Sequence, residues 1–249
     1  MSRWKVTICA VGLYGVSTIC GATTLASRSV VCPIGGESFQ ALRLLSILSV
    51  GTYLDHSSSG MELLRQKAYA RPPEKPPRTI AGVPPPLPRC PGNGFVMYKE
   101  KFTQNELIRL KAFVETKQYR ALYPRHSDYF VAAKLMEHVN ADPREIAGTL
   151  LQATWEAKDD KQYADYACAA LRAYNRSLER SYVDLKQWIF DQLIAGEMER
   201  RLSQFGAAKK RFTALTEFEA IRWWYERDIA LLQIKLIDAR DSERHLMPN

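Results

Sequence analysis

The sequence predicts a mainly α-helical fold of antiparallel helical hairpins, preceded by a small irregular or β-containing module. Three observations carry this. From Phe102 onward, apolar residues recur at helical spacing behind recognisable helix starts. Within 196–215, small residues alternate with aromatics, as two closely crossing helices require. Ahead of Phe102 there is no sustained period, but a proline-rich run and two Cys-Pro segments. With 46% hydrophobic residues in 249, the chain has ample material for a buried core.

The first element reads as an export signal. Arg3 and Lys5 precede an uncharged apolar stretch over 6–22, and Thr24-Leu25-Ala26 offers small residues at the two positions a signal peptidase inspects. The pattern predicts a signal peptide over 1–26, cleaved after Ala26. Ile19 before Cys20 argues against a lipoprotein site. The alternative is an uncleaved inner-membrane anchor over residues 6–26, because the apolar stretch is nearly long enough to span.

Residues 27–102 form the head. The apolar stretch over 42–54 has an ambiguous period, suiting a short strand pair or a helix. A short helix is expected over 61–70. Residues 71–91, with Pro72-Pro73, Pro76-Pro77 and Pro84-Pro85-Pro86, are expected to be an extended, semi-rigid connector. Helical signals then run from 103 to 249. Thr103-Gln104-Asn105-Glu106 is a capping box before Leu107, Leu110 and Val114, and Pro124 halts the helical stretch behind it. Val131, Leu135, Met136 and Val139 mark a second helix. Asp142-Pro143-Arg144-Glu145 opens a third, carrying Ile146, Leu150 and Ala153. Asp159-Asp160 opens a fourth, with Ala167, Leu171 and Tyr174 aligned. A fifth covers roughly 183–202, Phe205-Gly206 makes a break, and a long last helix carries Phe218, Ile221, Tyr225, Ile229, Leu232 and Leu236.

Catalytic signatures are missing. Asp55-His56-Ser57 has the residue types of a triad, but neighbours in sequence do not reach triad geometry, and no nucleophile elbow is present. Glu197, Glu199, Asp159 and Asp160 are expected on solvent faces or at helix N-termini. His126 and His138 are isolated and expected at the surface. The net charge of +8 is spread among acidic residues without a basic–aromatic motif, so no nucleic-acid partner is expected. Trp223 and Trp224 point about 100° apart on a helix; one is expected in the core and the other to anchor a protein partner. Cys168, among Ala164, Ala167 and Leu171, reads as a buried small hydrophobe.

The most chemical feature is a pair of depleted knuckles. Cys32-Pro33-Ile34-Gly35-Gly36 and Cys90-Pro91-Gly92-Asn93-Gly94 each read as C-P-x-C-G with the second cysteine replaced. Two intact copies would supply four sulfurs for zinc.

These residues, with Gly51-Thr52-Tyr53-Leu54-Asp55, the stretch from Pro84 to Tyr98 and the helical layout behind it, resemble an uncharacterised bacterial family. Its members pair a CPxCG zinc-ribbon-like N-terminal module with a tetratricopeptide-like tail. Gly196, Ser203, Phe205, Ala208, Phe212 and Leu215 carry the tetratricopeptide likeness most clearly, and 146–178 more weakly. The resemblance implies a ribbon-like head in which both knuckles converge, placing Cys32 beside Cys90. Gly35 and Asn93 stand where ligands are expected, so no metal site and no cofactor is expected. In an exported protein, the two surviving cysteines are expected to form a structural disulfide. Unpaired cysteines, or a metal site borrowing His56 or His126, are the alternatives.

The function expected is that of a non-catalytic protein-interaction scaffold or adaptor, exported to the periplasm and holding a protein or peptide partner in an envelope assembly. It is not expected to be an enzyme, nor to touch the membrane except through an uncleaved N-terminus. The alternative is a small redox or metal-handling protein centred on Cys32 and Cys90.

Overall fold

The computed structural model of the protein describes residues 24–46, 84–180, 184–221 and 225–245. The signal residues before 24, the helix expected over 61–70, most of the proline-rich connector, His56, and Trp223 and Trp224 lie outside the described residues. The fold is mainly helical, with one small antiparallel sheet at the N-terminal end.

Strands β1 (Thr24–Val31) and β2 (Ser38–Ser46) form a two-stranded sheet, with Val30 opposite Phe39 and Arg28 opposite Ala41. The alternation is plain. Val30, Phe39 and Ala41 turn inward, while Ser27, Ser29, Ser38 and Gln40 face out. β2 resolves the ambiguous apolar stretch as strand up to Ser46. Thr24 to Ala26, at the expected cleavage site, are the first paired residues of β1.

Eight α-helices lie behind the sheet among the described residues. They are α1 (Gln104–Val114), α2 (Lys117–Leu122), α3 (Asp128–His138), α4 (Pro143–Trp155), α5 (Asp160–Leu178), α6 (Leu185–Arg201), α7 (Phe205–Glu217) and α8 (Tyr225–Asp238). Their starts come from local chemistry. Thr103 and Glu106 cap reciprocally, Asp142 caps α4 ahead of a proline in its first turn, and Asp159 accepts from the Gln162 N–H at 2.7 Å. Ser127 and Asp184 cap α3 and α6 in the same way.

Consecutive helices pack as hairpins, α4 on α5, α6 on α7 and α7 on α8, with α5 on α6 joining them. The α6–α7 crossing depends on Gly196. A Cβ there would lie 2.6 Å from Cζ of the fully buried Phe212. The break between these helices falls at Ser203, in the left-handed region (φ 59°), and Phe205-Gly206 opens α7 instead of interrupting it. The last helix is shorter than expected: Glu219–Ile221 is a separate 3-10 turn, and α8 begins at Tyr225.

Glu197 and Glu199 are not on a solvent face as expected. Both are buried, because Arg200 and Arg211 are drawn inward with them. Fully buried Arg200 donates to Glu197 at 2.8 Å, to Gln233 of α8 at 2.7 Å and to the Asp241 carbonyl at 2.5 Å. Arg211 of α7 donates to Glu199 at 2.6 Å and to Asn175 of α5 at 2.9 Å. These charges tie α6 to α5, α7 and α8, and each buried carboxylate is paired, as burial demands.

There are two core clusters. The larger fills the hairpins from α3 to α8. The smaller joins head to helices: Cys32, Cys90, Phe95 and Val96 pack with Leu110, Phe113, Val114, Tyr119, Val131, Ala132 and Leu135. The head therefore shares its core with α1–α3.

Candidate functional site: the paired knuckles and the α4–α6 cleft

The two knuckles fold alike. In the first, the Gly36 N–H donates to the Cys32 carbonyl at 2.8 Å and the Cys32 N–H to the Glu37 carbonyl at 2.9 Å. In the second, Gly94 donates to Cys90 at 2.9 Å and Cys90 to Phe95 at 2.9 Å. Gly36 (φ 79°) and Gly94 (φ 73°) turn the chain at equivalent positions, where a side chain would be strained. The sequence likeness of the two segments is thus a likeness of backbone.

The turns face each other, and Cys32 and Cys90 form a disulfide with their Cα atoms 5.6 Å apart. Both residues are 1% exposed. Closing a loop with a sequence separation of 58 contributes about 4 kcal/mol in the chain-entropy account. A buried bridge is shielded from attacking thiolates, which suits a staple better than an exchanging redox pair.

The vacated ligand positions are filled by other groups. Asn93 directs Nδ2 at Cys32 Sγ, 3.8 Å away, while its Oδ1 accepts from the Phe95 N–H at 2.9 Å. At the other position Gly35 has no side chain, and the Glu37 carboxylate stands in the space; a Cβ on Gly35 would come within 2.8 Å of Glu37 Cδ. That carboxylate accepts from the Gly92 N–H of the opposite knuckle at 3.2 Å. Sequence reading missed Glu37, since nothing in its spacing marks a residue that enters through a neighbour's missing side chain. Asn93 was visible as a non-ligand, but its amide's donation to sulfur was not.

Helices hold the knuckles from behind. Tyr119 of α2 donates to the Gly94 carbonyl at 2.7 Å, and burial pushes its hydroxyl up to about 12. Arg89, next to Cys90, pairs with Asp128 at the start of α3 and lies 3.9 Å over the Tyr123 ring. Tyr129 donates to the Pro85 carbonyl at 2.6 Å. His126 is not at the cysteines: it stacks on Phe130 at 4.3 Å and meets the Tyr166 hydroxyl at 3.3 Å, and burial lowers its affinity for a proton. His138 stacks on Phe113 at 4.3 Å. Both rings are half-buried and engaged, not simply at the surface. Cys168 is free and half-buried in α5.

A second feature lies among the hairpins. A cleft of about 170 Å³ opens between α4, α5 and α6, with Trp155, Tyr174 and Phe190 for aromatic walls and Arg144 and Glu145 for charge. Arg144 is braced across it by Asp191 of α6, at 2.9 Å. Gly148 faces the cleft, and a Cβ there would meet nothing within 4 Å. No helix among the described residues is long and apolar enough to cross a membrane.

Comparison with family models, with curated proteins and with solved structures gives no match for this chain.

Proposed function

We propose that this protein is a non-catalytic adaptor of the cell envelope: an exported chain whose disulfide-pinned head steadies a tetratricopeptide-like helical tail that holds a peptide segment of a partner protein. The observation that carries the reading is the α4–α6 cleft, an aromatic-walled groove with one basic and one acidic residue, set across successive hairpins. A disulfide in the head favours an oxidising compartment, in keeping with the signal-like N-terminus and a periplasmic location. Trp223 and Trp224 remain candidate anchors for the same partner.

The test is a blocking substitution that the fold welcomes. Gly148→Leu places a side chain in open cleft space and improves helix propensity by about 0.5–1 kcal/mol. The expected outcome is a chain at least as stable as wild type that no longer crosslinks, in an envelope fraction, to the partner captured by wild type. Retention of the same partner by Gly148→Leu would move the binding surface elsewhere. Trp223→Ala and Trp224→Ala, run in parallel, test the second candidate.

A further inference from the structure

The space between the knuckles holds more than a staple needs. Two N–H groups point at Cys32 Sγ, that of Gly35 at 3.3 Å and that of Asn93 Nδ2 at 3.8 Å. Sulfur in a disulfide is a weak acceptor, whereas a thiolate gains from such donors. A third ligand atom stands beside the pair: a Glu37 carboxylate oxygen, Cys32 Sγ and Cys90 Sγ all lie within 4.8 Å of one another. The carboxylate reaches this point through the gap at Gly35 and is held there by the Gly92 N–H.

The geometry points to a second state of this pocket: with the Cys32–Cys90 bond open, Cys32 Sγ, Cys90 Sγ and the Glu37 carboxylate bind one Zn²⁺. Two thiolates and a carboxylate form a donor set for a tetrahedral, borderline-soft cation, with water as fourth ligand. No histidine is needed, and His126 is engaged with Phe130 and Tyr166. Bridge and metal use the same two sulfurs and exclude one another. Opening the bridge takes a dithiol reductant, which gives two electrons and two protons and closes its own disulfide, while the S–S bond becomes two thiols. Zn²⁺ then displaces the two thiol protons and forms two Zn–S bonds, its own oxidation state unchanged. The inference rests on the pairing of Cys32 with Cys90 and not on the adaptor reading.

The test uses the full chain, reduced with a phosphine, freed of excess reagent without air, and titrated with Co²⁺ and then Zn²⁺. The expected result is one Co²⁺ per chain with a thiolate-to-cobalt charge-transfer band, displaced by Zn²⁺. The oxidised chain shows no band, and Glu37→Gln weakens affinity about tenfold or more. A reduced wild-type chain without the band overturns the inference. So does Glu37→Gln binding as tightly as wild type, the behaviour of an unfolded dithiol chain that chelates through sulfur alone. Peptide mapping of the oxidised sample reads the pairing separately, so a failed pairing and a failed metal state are told apart.

Discussion

A single missing side chain decides the closest helix contact in this protein. Gly196 lets α6 approach α7 until its Cα faces the Phe212 ring, which is fully buried and has no room to yield. Gly196→Ala is expected to destabilise the chain by about 1–3 kcal/mol through overpacking, as read by urea unfolding. This pair was legible in the sequence, because small and aromatic residues at a helix crossing obey a spacing rule. Arg200 and Arg211 were not legible. A long cation beside two glutamates ordinarily marks a solvated face, and only the convergence of Gln233, Asn175 and the Asp241 carbonyl explains their burial. Glu37 was hidden for a related reason: its place is set by what Gly35 lacks and by a backbone N–H distant in sequence.

Helix starts were the most legible elements, because a cap is chemistry within four residues. Thr103, Asp142 and Asp159 announce α1, α4 and α5 in the sequence and cap them in the fold. The six-residue α2 was missed, being too short to show a period. The phase of α8 was also misread. Glu226 and Gln233 lie on its buried face, where Gln233 meets Arg200, so polar residues occupy part of the stripe that apolar ones were expected to fill.

One junction between elements makes a pH prediction. Glu156, at the end of α4, is raised above the ordinary carboxyl value, first by burial; hydrogen bonds from Ser127 and the Tyr129 N–H, and the Arg89 charge, oppose this less strongly. A carboxyl raised by folding weakens the fold where it is charged. That cost is fully present above the raised value and fades as pH falls to the unfolded value near about 4.3. Glu156→Gln keeps an acceptor for the α3 start and removes the charge. It is expected to be more stable than wild type at neutral pH, with the difference closing as urea unfolding is repeated at falling pH.

At the scale of the whole molecule, the helical class and the order of head before tail were legible, because periodicity and its absence divide the chain near Phe102. The sharing of the head's core with α1–α3 was not legible, since it depends on contacts between residues far apart in sequence, such as Phe95 and Val96 with Leu110, Tyr119 and Leu135. The Cys32–Cys90 bridge sits within that shared core, covalently joining the β1–β2 hairpin to the segment that leads into the helices. Digesting the unfolded, unreduced, alkylated protein and weighing its peptides tests this most directly. The account predicts one linked pair carrying Cys32 and Cys90, which separates on reduction, and an alkylated Cys168. Cys32 and Cys90 both recovered as alkylated free thiols would contradict it.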